Sequence, residues 1–108
     1  MSTVNTLKAA RNLLEKGWTQ GTYARDKNGA SVDYRDPEAC SFCISGVLKK
    51  VARGSAGHGV AVYNALDRHI PDPNPSYPMW NDDPCRTKEQ VLNLFDKAIA
   101  TAKTEETT

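Results

Sequence analysis

The chain has 108 residues, of which 39% are hydrophobic and 25% are charged, a composition typical of an ordinary globular domain. This length suits one domain and leaves no room for a second hydrophobic core. Fourteen basic residues against 13 acidic ones give a net charge of +1, so the overall charge draws the chain neither to nucleic acid nor to an anionic membrane.

The sequence carries no pattern of export or membrane insertion. Its first residues lack the basic segment followed by an apolar segment that marks a secretory signal. No apolar run approaches the ~18 residues that a membrane span requires. Three cysteines, an odd number, argue against a secreted disulfide framework. We therefore expect a cytoplasmic protein, and a bacterial or phage-infected cell would suit this expectation.

Apolar residues recur at helical spacing near the start of the chain and predict a first helix over residues 3–16. The stripe consists of Val4, Leu7, Ala10, Leu13 and Leu14. Ser2 or Thr3 can cap its start by accepting a hydrogen bond from a free amide. Gly17 is expected to end the helix in the left-handed conformation.

The following segment, residues 18–34, has the composition of strands rather than of a helix. Its Thr, Tyr and Val residues flank the turn sequence at residues 26–29, which contains Asn-Gly, the strongest short hairpin signal. We predict a small β-hairpin that pairs residues 20–25 with residues 30–33. Two strands alone are marginally stable, so the hairpin must pack against helices.

Residues 36–38, Asp-Pro-Glu, are typical of a helix start, because each residue type is favoured in the first turn. The apolar stripe that follows consists of Cys40, Cys43, Ile44, Val47, Leu48 and Val51. We predict a second helix from Asp36 to Arg53, ended by Gly54. Gly46 inside it costs ~1 kcal/mol relative to alanine, which a close approach by another backbone or by Trp18 would explain.

Glycine-rich residues 55–59 predict a flexible link, and apolar residues from Val60 to Ile70 predict a shorter third helix. Residues 71–86 hold five of the six prolines. Because proline lacks an amide donor and restricts the residue before it, this stretch predicts an irregular loop. Its aromatic residues indicate that the loop packs on the core.

Thr87 and Gln90 have the spacing of a capping box, which predicts the start of a final helix. The apolar stripe of this helix ends at Ala102, and residues 103–108 are expected to fray. The predicted fold is therefore mainly α: a compact domain of four helices over residues 1–102, with a small β-hairpin between the first two helices. Its core is expected from residues 40–51 and 91–102.

Three blocks of sequence carry a resemblance to a known family. They are Trp18-Thr19-Gln20-Gly21, Cys43-Ile44-Ser45-Gly46 and Trp80-Asn81-Asp82-Asp83-Pro84-Cys85-Arg86-Thr87. Through them the chain resembles an uncharacterised domain-of-unknown-function family of bacteria and their phages, over most of residues 4–100. The resemblance implies a small stand-alone helical domain and no particular activity. Cys43 fits the pattern, whereas Cys40 and Cys85 depart from it.

Cys40 and Cys43 have the Cys-x-x-Cys spacing of zinc sites and dithiol redox centres. On one helix, both sulfur atoms would share a face. A closed zinc site would also need Cys85 and His58, and neither belongs to a paired cluster. Free cysteine is among the most buried residue types. We therefore interpret both cysteines as core residues and expect no metal and no cofactor.

A cysteine-dependent hydrolase is the alternative that the sequence leaves open. It needs a thiolate near a helix N-terminus, a histidine base and a polar group that orients the histidine. The chain offers these types at Cys43 or Cys40, at His58 or His69, and at Asp82 or Asn81. Structural roles account for the same residues, since His58 lies in the predicted link and His69 near the end of the third helix.

The polar block around Asn81 has a structural interpretation and a functional one. Asn and Asp before a helix are routine caps and turn formers, and Arg86 can pair with a neighbouring carboxylate. Alternatively, the hairpin and this block form a recognition surface, because Trp and Arg are common interface anchors. That recognition surface consists of Trp18, Gln20, Arg25, Asp26, Trp80, Asn81 and Arg86. Its two arginines are expected to be exposed and to contribute little to stability.

Without a convincing catalytic set, the sequence favours a small non-catalytic binding or regulatory protein over an enzyme. We expect a protein of phage or mobile-element type that docks on a host protein. Neither nucleic acid nor a membrane is expected as a partner. The hydrolase remains the second hypothesis, and a structural metal protein the third.

Overall fold

The computed structural model describes residues 2–51, 56–70 and 77–107, and within these ranges it has five helices and three short strands. In chain order they are α1 (Thr3–Lys16), β1 (Ala24–Arg25), β2 (Ser31–Val32), β3 (Ser41–Phe42), α2 (Ile44–Val51), α3 (Ala56–Asp67), α4 (Tyr77–Asn81) and α5 (Lys88–Thr107). The predicted fold class is confirmed: the protein is mainly α, with a small antiparallel sheet between the first two helices.

Helix α1 has the predicted bounds, and its N-cap is Ser2, whose Oγ accepts a hydrogen bond from the Asn5 amide at 3.0 Å. The prediction for Gly17 is wrong, because its backbone is extended, with φ −172°. Glycine is needed there for space. A Cβ atom at this position would collide with the carbonyl oxygen of Cys40, where the chain leading into β3 passes the end of α1.

The predicted hairpin is present, with shorter strands than expected. β1 pairs with β2 through Ala24 and Val32, and the Asp26 carboxylate closes the turn by accepting two backbone amides. Gly29 lies in this turn with φ +84°, a conformation that favours glycine. The other edge of β1 pairs with β3, a strand that the sequence did not predict, and the strand order is β2-β1-β3.

The segment of residues 33–43 departs most from prediction. The helix predicted from Asp36 is wrong, since α2 begins only at Ile44. Asp33 and Asp36 each accept a hydrogen bond from the amide two residues later, at 2.8 Å in both cases, so both side chains close turns instead of capping a helix. Pairing with β1 then draws the chain into β3 and overrides the local helical pattern.

Helix α3 begins at Ala56, so the prediction of a flexible link at residues 55–59 is wrong for its helical part, residues 56–59. Residue 55 and the predicted helix end at Gly54 lie outside the described residues. So do residues 71–76 of the predicted loop. The rest of that loop contains the unexpected short helix α4, whose Trp80 is buried as predicted.

Helix α5 begins with the predicted capping box: Gln90 donates its amide to the Thr87 Oγ1 at 3.2 Å, and the Gln90 Oε1 accepts the Thr87 amide at 3.1 Å. The helix extends through Thr107, beyond the predicted end of the domain at Ala102. The fraying of residues 103–108 stays a prediction. In the described part of the chain, no helix has the length and apolar character needed to cross a membrane.

Helices α1, α2, α3 and α5 enclose one hydrophobic core. Helix α1 contributes to this core, in addition to the two segments predicted from the sequence, residues 40–51 and 91–102. The largest fully buried apolar side chains are Phe95, Leu7, Leu14, Ile44, Leu48 and Leu66. An ion pair between Arg11 and Asp96, at 2.6 Å, joins α1 to α5 at the edge of this core. Both α4 and strand β3 of the sheet contact α2.

Candidate functional site: a polar junction and the adjoining cleft

Asn81, the last residue of α4, is the centre of a buried polar junction. Its side chain is only 1% exposed. The Asn81 Oδ1 accepts two hydrogen bonds, one from the Trp18 indole Nε1 at 2.8 Å and one from the Ile44 amide at 3.1 Å. One side chain thus joins α4 to the first amide of α2 and to the segment that follows α1. We call this arrangement the Asn81 junction.

Gln20 extends the Asn81 junction through the backbone. Its Nε2 donates to the carbonyl oxygens of Asn81 and Asp83 at 2.8 and 2.7 Å. The Asp82 carboxylate accepts the Gly21 amide at 3.1 Å and the Asn81 Nδ2 at 2.9 Å. Buried polar groups are costly unless they are hydrogen-bonded, and here each has a partner. The Asn81 junction is therefore a built part of the fold.

Arg86 lies against Trp80, the residue before Asn81. Its guanidinium is 3.9 Å from the centroid of the Trp80 ring, and its Nε donates to the Trp80 carbonyl oxygen at 2.9 Å. The side chain is 13% exposed, and its nearest carboxylate, of Asp83, is 3.8 Å away. The expectation of an exposed Arg86 is therefore wrong. This arginine packs on an aromatic ring and fixes the turn that leads into α5.

Arg25 is only partly exposed, so the expectation of an exposed arginine is wrong here as well, and both Arg25 and Asp26 have structural partners. Arg25 donates to the Thr19 hydroxyl at 2.8 Å and to the carbonyl oxygens of Gln20 and Gly29 at 3.1 and 3.0 Å. Asp26 closes the hairpin turn. The residues of the recognition surface thus lie in one connected region, but many of their polar atoms bind within the protein. The role of this surface in binding stays a prediction.

Next to the Asn81 junction lies an open cleft of about 520 Å³, which we call the main cleft. Its lining residues are Gly21, Thr22, Tyr23, Cys43, Ser45, Pro78, Asn81 and Asp82. The Tyr23 side chain is 47% exposed at this cleft, and Asp82 is the only charged residue among the described lining residues. The main cleft therefore offers an aromatic ring and one negative charge to a ligand.

The wall of the main cleft explains Gly46. A Cβ atom there would collide with the carbonyl oxygen of Tyr23, so the predicted close approach of another backbone is confirmed. Tyr23, Ser45 and Pro78 were not predicted as site residues from the sequence. The one sequence feature that could have led to Tyr23 was Gly46 itself, because a glycine inside a helix indicates that something packs against its backbone.

Cys43 lines the main cleft as the residue before α2. It is 7% exposed, and its Sγ accepts the Gly46 amide at 3.2 Å, in the manner of a helix N-cap. Burial raises the pKa of the Cys43 thiol, and the amide hydrogen bonds that favour the thiolate offset only part of this effect. An activated nucleophile requires the opposite shift. The geometry of Cys43 is that of a buried cap.

The histidines do not complete the hydrolase set among the described side chains. His69 Nε2 is hydrogen-bonded to the Thr101 Oγ1 at 2.7 Å, and this ring lines a different cleft from the one that contains Cys43. The backbone of His58 lies in α3, and its side chain lies outside the described residues. Asp82 does lie in the main cleft with Cys43, as the hydrolase hypothesis requires.

The Cys-x-x-Cys pair does not form a two-thiol face, because Cys40 precedes β3 and Cys43 precedes α2. Cys43 is buried, as expected, but Cys40 is exposed, so its interpretation as a core residue is wrong. Cys85 is exposed as well. In residues 2–51, 56–70 and 77–107, no group of three or more histidine, cysteine or acidic side chains is placed to hold a metal ion.

Fold and site together define a small helical domain that carries a buried polar junction beside an open cleft. The chain belongs to DUF6197, a family of unknown function, whose model matches residues 1–101. The resemblance found in the sequence is thereby confirmed. No curated protein and no solved structure matches the chain.

Proposed function

We propose that this chain is a small non-catalytic binding protein whose main cleft holds a segment of a protein partner. The observation that carries the proposal is the main cleft itself, an opening of about 520 Å³ next to a rigid junction, with Tyr23 47% exposed at its edge. A site bordered by fixed elements loses little conformational freedom on binding, which favours affinity.

The chemistry of the main cleft points to a partner segment with an apolar side chain beside a basic one. The apolar contacts are the rings of Tyr23 and Pro78, and Met79, which follows Pro78, is 60% exposed. Aromatic residues and methionine are enriched at protein interfaces. Lys49 already lies over the Tyr23 ring at 5.6 Å. We therefore expect the basic side chain of the partner to pair with the carboxylate of Asp82 and not with this ring.

The state of Cys43 favours binding over hydrolysis. A nucleophile in the main cleft would need a thiol that ionises near neutral pH, whereas burial raises the pKa of this one. We further propose a regulatory protein of phage or mobile-element type that docks on a host protein in the cytoplasm. The three unpaired cysteines and the net charge of +1 support a reducing compartment and a partner other than nucleic acid.

The test is a selection of peptides from a random display library on the immobilised full chain. We expect selected sequences to share a Lys or Arg next to an aromatic or aliphatic residue. A synthetic peptide with this pattern should shift the amide NMR signals of Thr22, Tyr23 and Ser45. Peptides that bind elsewhere on the chain, or no enrichment at all, would contradict the proposal.

A charge-matched pair of variants sharpens this test. Asp82→Asn removes the carboxylate of the main cleft and keeps an oxygen that can accept the Gly21 amide. It should weaken peptide binding by roughly fivefold to tenfold, the range expected for a lost charge pair. Glu38→Gln removes another exposed carboxylate, from the turn before β3, and should leave binding unchanged. Equal effects of the two variants would show that only net charge matters.

A further inference from the structure

A second cleft, of about 230 Å³, lies where the Trp80 ring meets α5. Its polar lining comes from His69, Arg86, Gln90, Asn93 and Lys97. Among the described residues, none that lines it carries a carboxylate, although Asp83 lies 3.8 Å from Arg86 at its edge. We call it the basic cleft. Its charge contrasts with that of the main cleft, where Asp82 is the only charged residue among the lining residues that the structure describes.

One face of α5 organises the basic cleft. Gln90, Asn93, Lys97 and Thr101 follow one another at intervals of three or four residues, so they form one stripe on the helix. At one end, Gln90 Oε1 accepts a hydrogen bond from Arg86 at 3.2 Å. At the other end, Thr101 holds the His69 ring. The Arg86 guanidinium and the His69 ring are therefore fixed at the two ends of the stripe.

The middle of the stripe offers free donors. Asn93 and Lys97 are exposed, and the described part of the chain provides no hydrogen bond or ion pair to either side chain. The Lys97 ammonium can therefore turn toward a ligand without breaking an internal contact. The indole of Trp80 and the buried side chain of Leu94 form the apolar part of the lining.

We propose that the basic cleft binds a phosphate group. A guanidinium held by its surroundings, a mobile ammonium and a side-chain amide are the donors that phosphate oxygens accept most readily. The opening of about 230 Å³ has room for a phosphate with a small organic group. The phosphate can be the free ion or part of a small monoester, and these sources share the same chemistry.

The test is an NMR titration of the full chain with inorganic phosphate and, separately, with glycerol phosphate, at constant ionic strength. We expect saturable shifts of the Trp80 indole N–H signal and of the Asn93 and Lys97 amides. The Trp18 indole N–H is the internal control, because it is bound to Asn81. Tighter binding of the monoester would identify a phosphorylated small molecule as the ligand, and equal binding would identify the free ion.

Two lysine variants on the same helix make the titration specific. Lys97→Gln should weaken phosphate binding by about tenfold, the effect of one lost charge-assisted hydrogen bond. Lys103→Gln removes an exposed lysine outside the basic cleft and should have no effect. Shifts that do not saturate at millimolar phosphate, shifts of equal size with acetate, or equal losses in both variants would overturn the proposal.

Discussion

Replacing Asn81 with alanine removes the one side chain on which the Asn81 junction depends. The variant lacks the oxygen that accepts the Trp18 indole N–H at 2.8 Å and the Ile44 amide at 3.1 Å. A buried donor left without an acceptor costs about 1–3 kcal/mol. Trp18 is only partly buried, so water can compensate part of its loss. We therefore expect Asn81→Ala to lower the free energy of unfolding by about 2–4 kcal/mol.

This loss is large for a domain of this size, whose total stability is about 5–15 kcal/mol. The variant should still fold, with a melting temperature lower by roughly 10–20 °C. Urea unfolding followed by circular dichroism measures the change in free energy. Asn5→Ala is the control, because it alters an exposed asparagine on α1 and should change stability by less than about 0.5 kcal/mol.

A second measurement separates the hydrogen bonds from general packing. In the variant, the amide of Ile44 should exchange faster with solvent, and the Trp18 indole N–H signal should move toward its position in the unfolded chain. A loss below about 1 kcal/mol, with both signals unchanged, would refute the reasoning that the Asn81 junction stabilises this part of the fold.

Three further predictions follow from individual contacts. Arg86→Ala should lower the free energy of unfolding by about 2 kcal/mol, because it removes a nearly buried guanidinium from Trp80. A change below about 0.5 kcal/mol in the same urea assay would show that this contact contributes little to stability. Gly46→Ala should destabilise the protein in thermal unfolding despite the better helix propensity of alanine, since its Cβ would meet the Tyr23 carbonyl. The Cys43 thiol should resist alkylation at pH 7 while the two exposed cysteines react. Because its pKa is raised in the folded state, stability should fall as pH rises above about 8.5, where the unfolded chain loses the thiol proton first. A Cys43→Ala variant should lose that part of the pH dependence, and rapid labelling of Cys43 at pH 7 would favour the hydrolase.

The parts of the fold that sequence reasoning predicted well are those with local causes. Ser2 caps α1 and Thr87 caps α5 through amides only three residues away. The hairpin turn depends on Asp26 and Gly29, which are close neighbours in the chain. In each case the side chain and the backbone group it satisfies lie within one turn, so the sequence contains the whole interaction.

The start of α2 could not be predicted in the same way. Asp36 suits a helix cap and a turn equally well, because its carboxylate accepts a nearby amide in either arrangement. The choice depends on β1, which pairs with residues 41 and 42 and holds them extended. Cys40 is exposed for the same reason, since it lies at the start of this extended segment and not on a helix stripe.

The candidate site shows the same division. Residue type alone drew attention to Trp18, Gln20 and Asn81, whose polar and aromatic side chains are typical of both junctions and interfaces. Trp18 and Asn81 are 63 positions apart in the chain, and only the tertiary packing brings them into contact. The tertiary structure therefore decided that these groups bind one another, because a buried hydrogen-bonding group must find its partner wherever the packed core places one.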